Sequence, residues 1–144
     1  IATSIGYWND TSPTSSLVTL GSSDQANGAN PMVAYCFAEK KGYSKFGSYT
    51  GNGSTQTINC GFAAGARFVI IKRTSSPGGD WFTFDTARGI IAGNDPFLKF
   101  NTTTAEATAY DAVDPDSSGF IVNNDATDFP INVASATYIF LAIA

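Results

Sequence analysis

The apolar positions of this chain fall into short runs separated by turn-forming residues, which is the pattern of a β protein. The runs are enriched in Val, Ile, Phe, Tyr and Thr, and we predict a strand for each. These runs are Leu17–Leu20, Met32–Ala38, Ser44–Tyr49, Gln56–Cys60, Ala66–Arg73, Trp81–Phe84, Phe97–Asn101, Phe120–Val122 and Tyr138–Ala144. Clusters of Gly, Asn, Asp and Pro between them supply the backbone angles of tight turns. Only Thr103–Ala109 could form a helical turn, so the pattern predicts an all-β antiparallel sandwich or jelly-roll-like fold.

One pair of runs predicts a hairpin. Arg67–Arg73 reads RFVIIKR, a continuous apolar run between cations, which indicates a central strand covered on both faces. The turn sequence SSPGGD then connects it to Asp80–Asp85, in which Phe82 and Phe84 alternate with the other side chains. We therefore predict an antiparallel hairpin with a strongly aromatic face.

Two similar apolar runs indicate that part of the chain is repeated. MVAYCFA at 32–38 is similar to YIFLAIA at 138–144, and the segments before them also align. The aligned pairs are Pro13 with Pro115, Ser15 with Ser117, Ser16 with Ser118, Val18 with Phe120 and Leu20 with Val122, at an offset of 102 positions (115 − 13). We predict that residues 1–40 are the closing half of a preceding unit, packed on or continuous with the next, and that residues 41–144 are a complete β-sandwich unit. The alternative is that β proteins reuse Ser-rich turns and apolar strands.

Several motifs, spread over nearly the whole chain, match those of a known family. Tyr49–Gly53 reads YTGNG, Phe68–Trp81 reads FVIIKRTSSPGGDW, and a WNDTSPTS motif lies near the N-terminus. Together with the closing run TYIFLAIA, they resemble a tandemly repeated β-rich domain of uncharacterised function in virion structural proteins of marine bacteriophages, such as those of cyanobacteria and pelagic bacteria. The chain departs from the family at Ala64, where Pro is usual, and at 110–113, where YDAV replaces a second WNDT motif. The resemblance implies a structural role in a virion and no enzymatic activity.

Charge and hydropathy argue against two classes of partner. The chain has 8 Lys and Arg residues against 12 Asp and Glu, with a net charge of −4, so it offers no basic surface for nucleic acid. No apolar stretch approaches the roughly 20 residues that span a bilayer, and we predict no membrane insertion. Because the first residue is Ile1, we interpret the chain as a processed product or part of a longer one.

The chain offers little for catalysis or for a cofactor, and we predict neither. It has no histidine, so a serine nucleophile or a zinc site lacks its usual partner. Its two glutamates, Glu39 and Glu106, lie in no apolar pocket motif, although a pair of aspartates of the glycosidase kind stays open. Cys36 and Cys60 lie in or beside predicted strands, and we interpret them as small core residues, with a disulfide between them left open.

Two kinds of binding site are weaker candidates. Asp114, Asp116 and Asp125 offer oxygen ligands of the type that calcium prefers, but a Pro-initiated turn also explains the DPDSSG sequence. Large rings stack on the apolar faces of sugars, which makes Trp8, Tyr49 and Trp81 candidates for a glycan site or for a subunit interface.

We therefore expect a non-enzymatic module of a phage fibre, tail or capsid-surface appendage, located in the virion. Its expected partners are other copies of itself and other virion proteins, with attachment to a host-surface glycan as an additional role. One alternative is a carbohydrate-binding adhesin domain. Another is a capsid decoration protein that clamps neighbouring capsomers.

Overall fold

The chain consists of two compact units, Ile1–Phe37 (unit 1) and Ala38–Ala144 (unit 2). The computed structural model describes residues 4–76, 79–123 and 129–144. Each unit is described below by itself.

Unit 2 contains two antiparallel β-sheets, which confirms the predicted antiparallel sandwich class. Its strands are β1 (Ser44–Thr50), β2 (Gln56–Asn59), β3 (Phe68–Arg73), β4 (Trp81–Asp85), β5 (Leu98–Lys99), β6 (Val113–Asp116), β7 (Gly119–Val122) and β8 (Thr137–Ile143). The larger sheet has the strand order β1-β8-β3-β4-β5, and the smaller has the order β2-β7-β6.

A hydrophobic core lies between the inner faces of the two sheets. Phe120 from the small sheet meets Phe140 from the large sheet edge to face, with ring centroids 5.4 Å apart. Phe84, Phe120 and Tyr138 are fully buried. Burying one such ring stabilises the fold by roughly 1.5–3 kcal/mol relative to leaving it exposed, so these rings account for much of the cohesion between the sheets.

Strands β3 and β4 form the predicted hairpin. They pair antiparallel, with Val69 opposite Phe84 and Ile71 opposite Phe82, and all four side chains are buried. Strand β3 is the middle strand of the large sheet, as its apolar run predicted. Its second face is only half-buried, so the expectation of full cover on both faces was too strong.

Strand β8 lies inside the large sheet, with β1 on one side and β3 on the other. Tyr138, Phe140 and Ala142 alternate onto the core face, as the two-residue period of a strand requires. The last strand of the unit is therefore hydrogen-bonded along both edges.

Unit 1 has two four-residue helices, α1 (Ile5–Trp8) and α2 (Asp24–Asn27). The side chains of Ser4 and Ser23 cap their N-termini by accepting backbone hydrogen bonds, a role for which serine is favoured. None of the described residues of unit 1 belongs to a strand, so the predicted strands at 17–20 and 32–38 are wrong for this chain. Strand propensity needs a neighbouring strand to become structure, and neither run has one here.

Three other predictions also need correction. Val113–Asp116 forms β6, so the turn predicted over the DPDSSG sequence is confined to Ser117 and Ser118. Pro115 is tolerated because β6 is an edge strand. Residues 103–109 contain no helical turn. The strand predicted at 97–101 is reduced to Leu98–Lys99. Among the described residues, no helix has the length and apolar character needed to cross a membrane.

Candidate functional site

An aromatic cleft of about 420 Å³ opens at the β4–β5 end of unit 2. Its floor is made by Phe82, Phe97, Tyr110 and Phe129, whose ring centroids lie between 4.5 and 5.8 Å apart where they touch. Strand β4 positions Phe82, and the other three rings come from the segments that follow β4 along the chain. An apolar floor with a polar rim is the usual construction of a small-ligand site.

The rim of the cleft carries an ion pair. Lys99 Nζ lies 2.7 Å from Asp80 Oδ2 and 5.6 Å from the centroid of the Phe82 ring. Asn101 Nδ2 donates to Asp80 Oδ1 at 2.9 Å, and Asn101 Oδ1 accepts the backbone N–H of Trp81 at 2.9 Å. Hydrogen bonds from Lys99 and then from Asn101 lower the pKa of Asp80. The rim therefore presents a fixed carboxylate and a fixed ammonium beside a cluster of mutually tilted and largely buried rings.

The outer face of the large sheet is mostly apolar. Strand register places Leu141 beside Ile70, Ile70 beside Thr83, and Thr83 beside Leu98 in one row. A second row places Ile139 beside Lys72 and Lys72 beside Trp81. Ile139 and Trp81 are 42% and 40% exposed. We call these two rows the outer sheet face.

The aromatic candidates from the sequence do not form one site. Trp81 lies on the outer sheet face and does not line the cleft, whereas Tyr49 points to the opposite, inner face. Tyr49 stacks on Tyr138 at 4.8 Å, and its hydroxyl donates to the backbone oxygen of Ile131 at 2.5 Å. Burial raises the pKa of Tyr49. Trp8 ends helix α1 in unit 1 and is 40% exposed. The side chain of Tyr49 is thus engaged in packing, and Trp81 and Trp8 keep exposed rings.

Two of the calcium candidates are already engaged in hydrogen bonds. Asp116 accepts from the backbone N–H and the hydroxyl of Ser118, and these bonds lower its pKa. Asp114 accepts from Asn123 Nδ2 at 2.9 Å. Asp125 lies outside the described residues. Within the described ranges, no group of three or more His, Cys, Asp or Glu side chains is placed to hold a metal ion.

The sequence did not reveal that Asp95 is fully buried. Its Oδ2 accepts the backbone N–H groups of Ala112 and Val113 at 3.0 and 2.8 Å, and its Oδ1 accepts that of Ile91 at 3.2 Å. Burial raises the pKa of Asp95, although these three donors act in the opposite direction. The carboxyl ties the loop after β4 to the start of β6. An aspartate next to proline reads as an ordinary surface turn, so no signal in the sequence marks it.

The two cysteines have different environments and are both free thiols. Cys60 is buried, as predicted for a core residue, and its pKa is raised to about 11 by burial. Cys36 is exposed, which contradicts the prediction that it is a core residue.

The family model described as Domain of unknown function (DUF7483) matches residues 1–144. No curated protein matches the chain. No solved structure matches it either.

Proposed function

The chain belongs to this family of domains of unknown function over its whole length, and we propose that it is a non-enzymatic structural module of a phage virion, part of a fibre, tail or capsid-surface appendage. The observation that carries the proposal is the outer sheet face. In its second row the large apolar side chains of Ile139 and Trp81 stay exposed on either side of Lys72, and exposed apolar surface on a sheet commonly marks contacts between proteins.

Two further features support an assembly role. Charged residues make up only 14% of the chain. Few charged groups therefore lose their water when a face of the protein is buried between subunits, which lowers the cost of association. The motifs YTGNG and FVIIKRTSSPGGDW resemble those of phage virion proteins, which is the reason for proposing the virion as the location.

Self-association tests the role of the outer sheet face. We expect the chain to form oligomers as its concentration rises, and we expect Ile139→Asp to weaken that association by about tenfold or more, because it places a charge in an apolar contact. Sedimentation velocity over a range of concentrations measures this effect.

Val133→Asp is the matched control, because Val133 is 41% exposed but lies outside the sheet strands. Equal effects of the two variants, or a monomer at every concentration, would contradict the proposed assembly face. The virion location is tested separately by mass spectrometry of purified particles, in which we expect peptides of this chain.

A second candidate function is carbohydrate binding by an adhesin domain, and the aromatic cleft favours it. The cleft places apolar aromatic side chains beside the Asp80–Lys99 pair, and that pair can bind the hydroxyl groups of a sugar. On a glycan array, we expect Lys99→Ala to reduce binding by about tenfold, since it removes a charged hydrogen-bond donor. Trp81→Ala is the control, because Trp81 lies outside the cleft. Retained binding by Lys99→Ala, or no binding by the unaltered chain, counts against this function.

A further inference from the structure

A tight turn in unit 1 is held by three hydrogen bonds. The backbone N–H of Thr14 donates to the carbonyl oxygen of Leu17 at 2.9 Å. The Thr14 hydroxyl oxygen accepts the backbone N–H groups of Ser16 at 3.3 Å and Leu17 at 3.0 Å. The Thr14 side chain thus stabilises the turn by accepting hydrogen bonds from its backbone.

The turn between β6 and β7 in unit 2 is built in the same way. Asp116 and Gly119 are paired across it, and the Asp116 carboxylate accepts the backbone N–H group and the hydroxyl of Ser118. Adding 102 to the position of each unit 1 turn residue gives its unit 2 counterpart, so that Thr14 matches Asp116, Ser16 matches Ser118 and Leu17 matches Gly119. The sequence repeat therefore extends to one hydrogen bond of the turn, from the backbone N–H of its third residue to the side chain of its first.

The residues after the two turns differ sharply in burial. Val18 and Leu20 are 46% and 45% exposed, whereas their counterparts Phe120 and Val122 in β7 are fully buried. The same difference holds for the closing segments at 32–38 and 138–144, which align at an offset of 106 positions (144 − 38). Met32 is 48% exposed and its counterpart Tyr138 is fully buried. Unit 1 thus carries the apolar pattern of β7 and β8, but none of its apolar side chains at residues 4–37 is buried.

The position of β8 shows which surface this pattern fits. In unit 2, β8 fills the slot between β1 and β3 and pairs with both. A segment with the same apolar pattern as β8 fits between two strands that are equivalent to β1 and β3. The slot of unit 2, and that of any second intact copy, is already filled by its own β8, so the fitting partner is a unit that lacks its closing strands.

We propose that residues 11–38 donate a hairpin and a closing strand to the opening half, equivalent to β1–β5, of another unit of this fold. In the completed unit, residues 32–38 lie between the partner's equivalents of β1 and β3, and residues 17–20 cover its core as β7 does. Ala34 and Cys36 take the core-facing places of Phe140 and Ala142. This inference goes beyond the proposed function and does not depend on the virion location.

Cys36 provides the readout, because it is exposed in this chain and becomes buried in the completed unit. We place a second copy of residues 39–109, which contains β1–β5, ahead of the full chain. Reaction of Cys36 with Ellman's reagent is then expected to slow by about tenfold or more relative to the chain alone, since burial protects a thiol. A smaller effect overturns the proposal.

A fusion that carries a second copy of residues 39–144 is the matched control. Its added unit has its own β8, so its slot is filled and Cys36 is expected to react as fast as in the chain alone. Slowing of Cys36 to the same extent in both fusions overturns the proposal. Folding of this control shows that an added unit is tolerated, so a half-unit fusion that leaves Cys36 reactive also counts as refutation.

A pair of neighbouring substitutions tests the orientation of the donated strand. Ala34→Asp places a charge toward the partner's core, whereas Val33→Asp takes the place of Ile139, which is 42% exposed. Both positions are exposed in the chain alone, so neither variant is expected to change its stability. In the half-unit fusion, Ala34→Asp is expected to restore fast labelling of Cys36, and Val33→Asp is not. Equal behaviour of the two variants overturns the proposed register.

Discussion

The turn at 14–17 and the turn at 116–119 share a hydrogen bond from the backbone N–H of the third residue to the side chain of the first, but only the second turn continues into paired strands. After Gly119, the chain pairs with β6 on one side and with β2 on the other. After Leu17, the chain leaves this course, and the N–H of Gly21 donates to the carbonyl oxygen of Tyr7. A turn needs only its own residues, whereas a strand needs backbone partners that lie elsewhere. Local sequence is thus sufficient for the first kind of structure and insufficient for the second.

The largest expected difference between these regions is in side-chain packing. Phe120→Ala should lower the free energy of unfolding by about 3–5 kcal/mol, because it leaves a cavity between the two sheets. Val18→Ala, at the matching position of unit 1, should change it by less than about 0.5 kcal/mol, because Val18 is already exposed. Urea unfolding followed by circular dichroism measures both variants. Similar losses would show that residues 17–20 are packed in solution.

Thiol reactivity gives the next largest contrast. Cys60 is buried with its pKa raised to about 11, so little thiolate is available near pH 8. Cys36 is exposed and should react about 100-fold faster or more. Labelling followed by mass spectrometry should therefore find one modified cysteine in the native chain and two in urea. Cys36→Ser should abolish the fast reaction, and equal rates for the two thiols would contradict the burial of Cys60.

The buried carboxyl of Asp95 should affect stability differently from the exposed carboxyls. Asp95→Asn should cost about 1–3 kcal/mol, because the amide nitrogen faces a backbone donor that loses its acceptor. Since burial raises the pKa of Asp95, this carboxyl contributes most to stability below its ordinary pKa of 3.8, and the contribution is lost as the pH rises through the folded-state value. Unfolding of both proteins in urea at a series of pH values should therefore show the cost of Asp95→Asn falling with rising pH. A cost that grows with pH would refute this assignment.

The smallest expected effect lies in the turn residues themselves. Asp116→Ala should lower the stability of unit 2 by less than Asp95→Asn, since Asp116 is more exposed to solvent. The pKa of Asp116 is lowered by its hydrogen bonds, so its contribution is present above 3.8 and is lost as the pH falls through the folded-state value. This pH dependence is opposite in sign to that of Asp95. Thr14→Ala serves as the matching change in unit 1 and should leave the unfolding of unit 2 unchanged.

The sequence predicted the central strands of unit 2 well. Alternation at Phe82 and Phe84 and the apolar run at 68–71 are strong signals, since they reflect burial on a sheet. The same signals predicted strands at 17–20 and 32–38 that this chain does not form. An apolar pattern indicates that a segment can form a strand beside a suitable sheet. Whether such a sheet is present depends on other parts of the chain.

The candidate sites were harder to predict. The cleft joins Phe82 to Tyr110 and Phe129, which are far apart in sequence, so their proximity follows from topology alone. The sequence drew attention to Tyr49 because of its ring, but that ring stacks inside the unit. Asp95 and β6 were missed for a related reason: Asp and Pro are typical of surface turns, and only tertiary contacts bury the one and pair the other.

The position of β8 also has a consequence for how the protein is made. Strands β1 and β3 are synthesised first but reach their final arrangement only when residues 137–143 have left the ribosome. Pairing Ser44 with Ile143 closes most of the unit in one late step, and contacts of such long range slow folding. Until then, the edges of β1 and β3 that later pair with β8 lack their hydrogen-bond partners. Unpaired strand edges of this kind are features of folding intermediates that chaperones recognise.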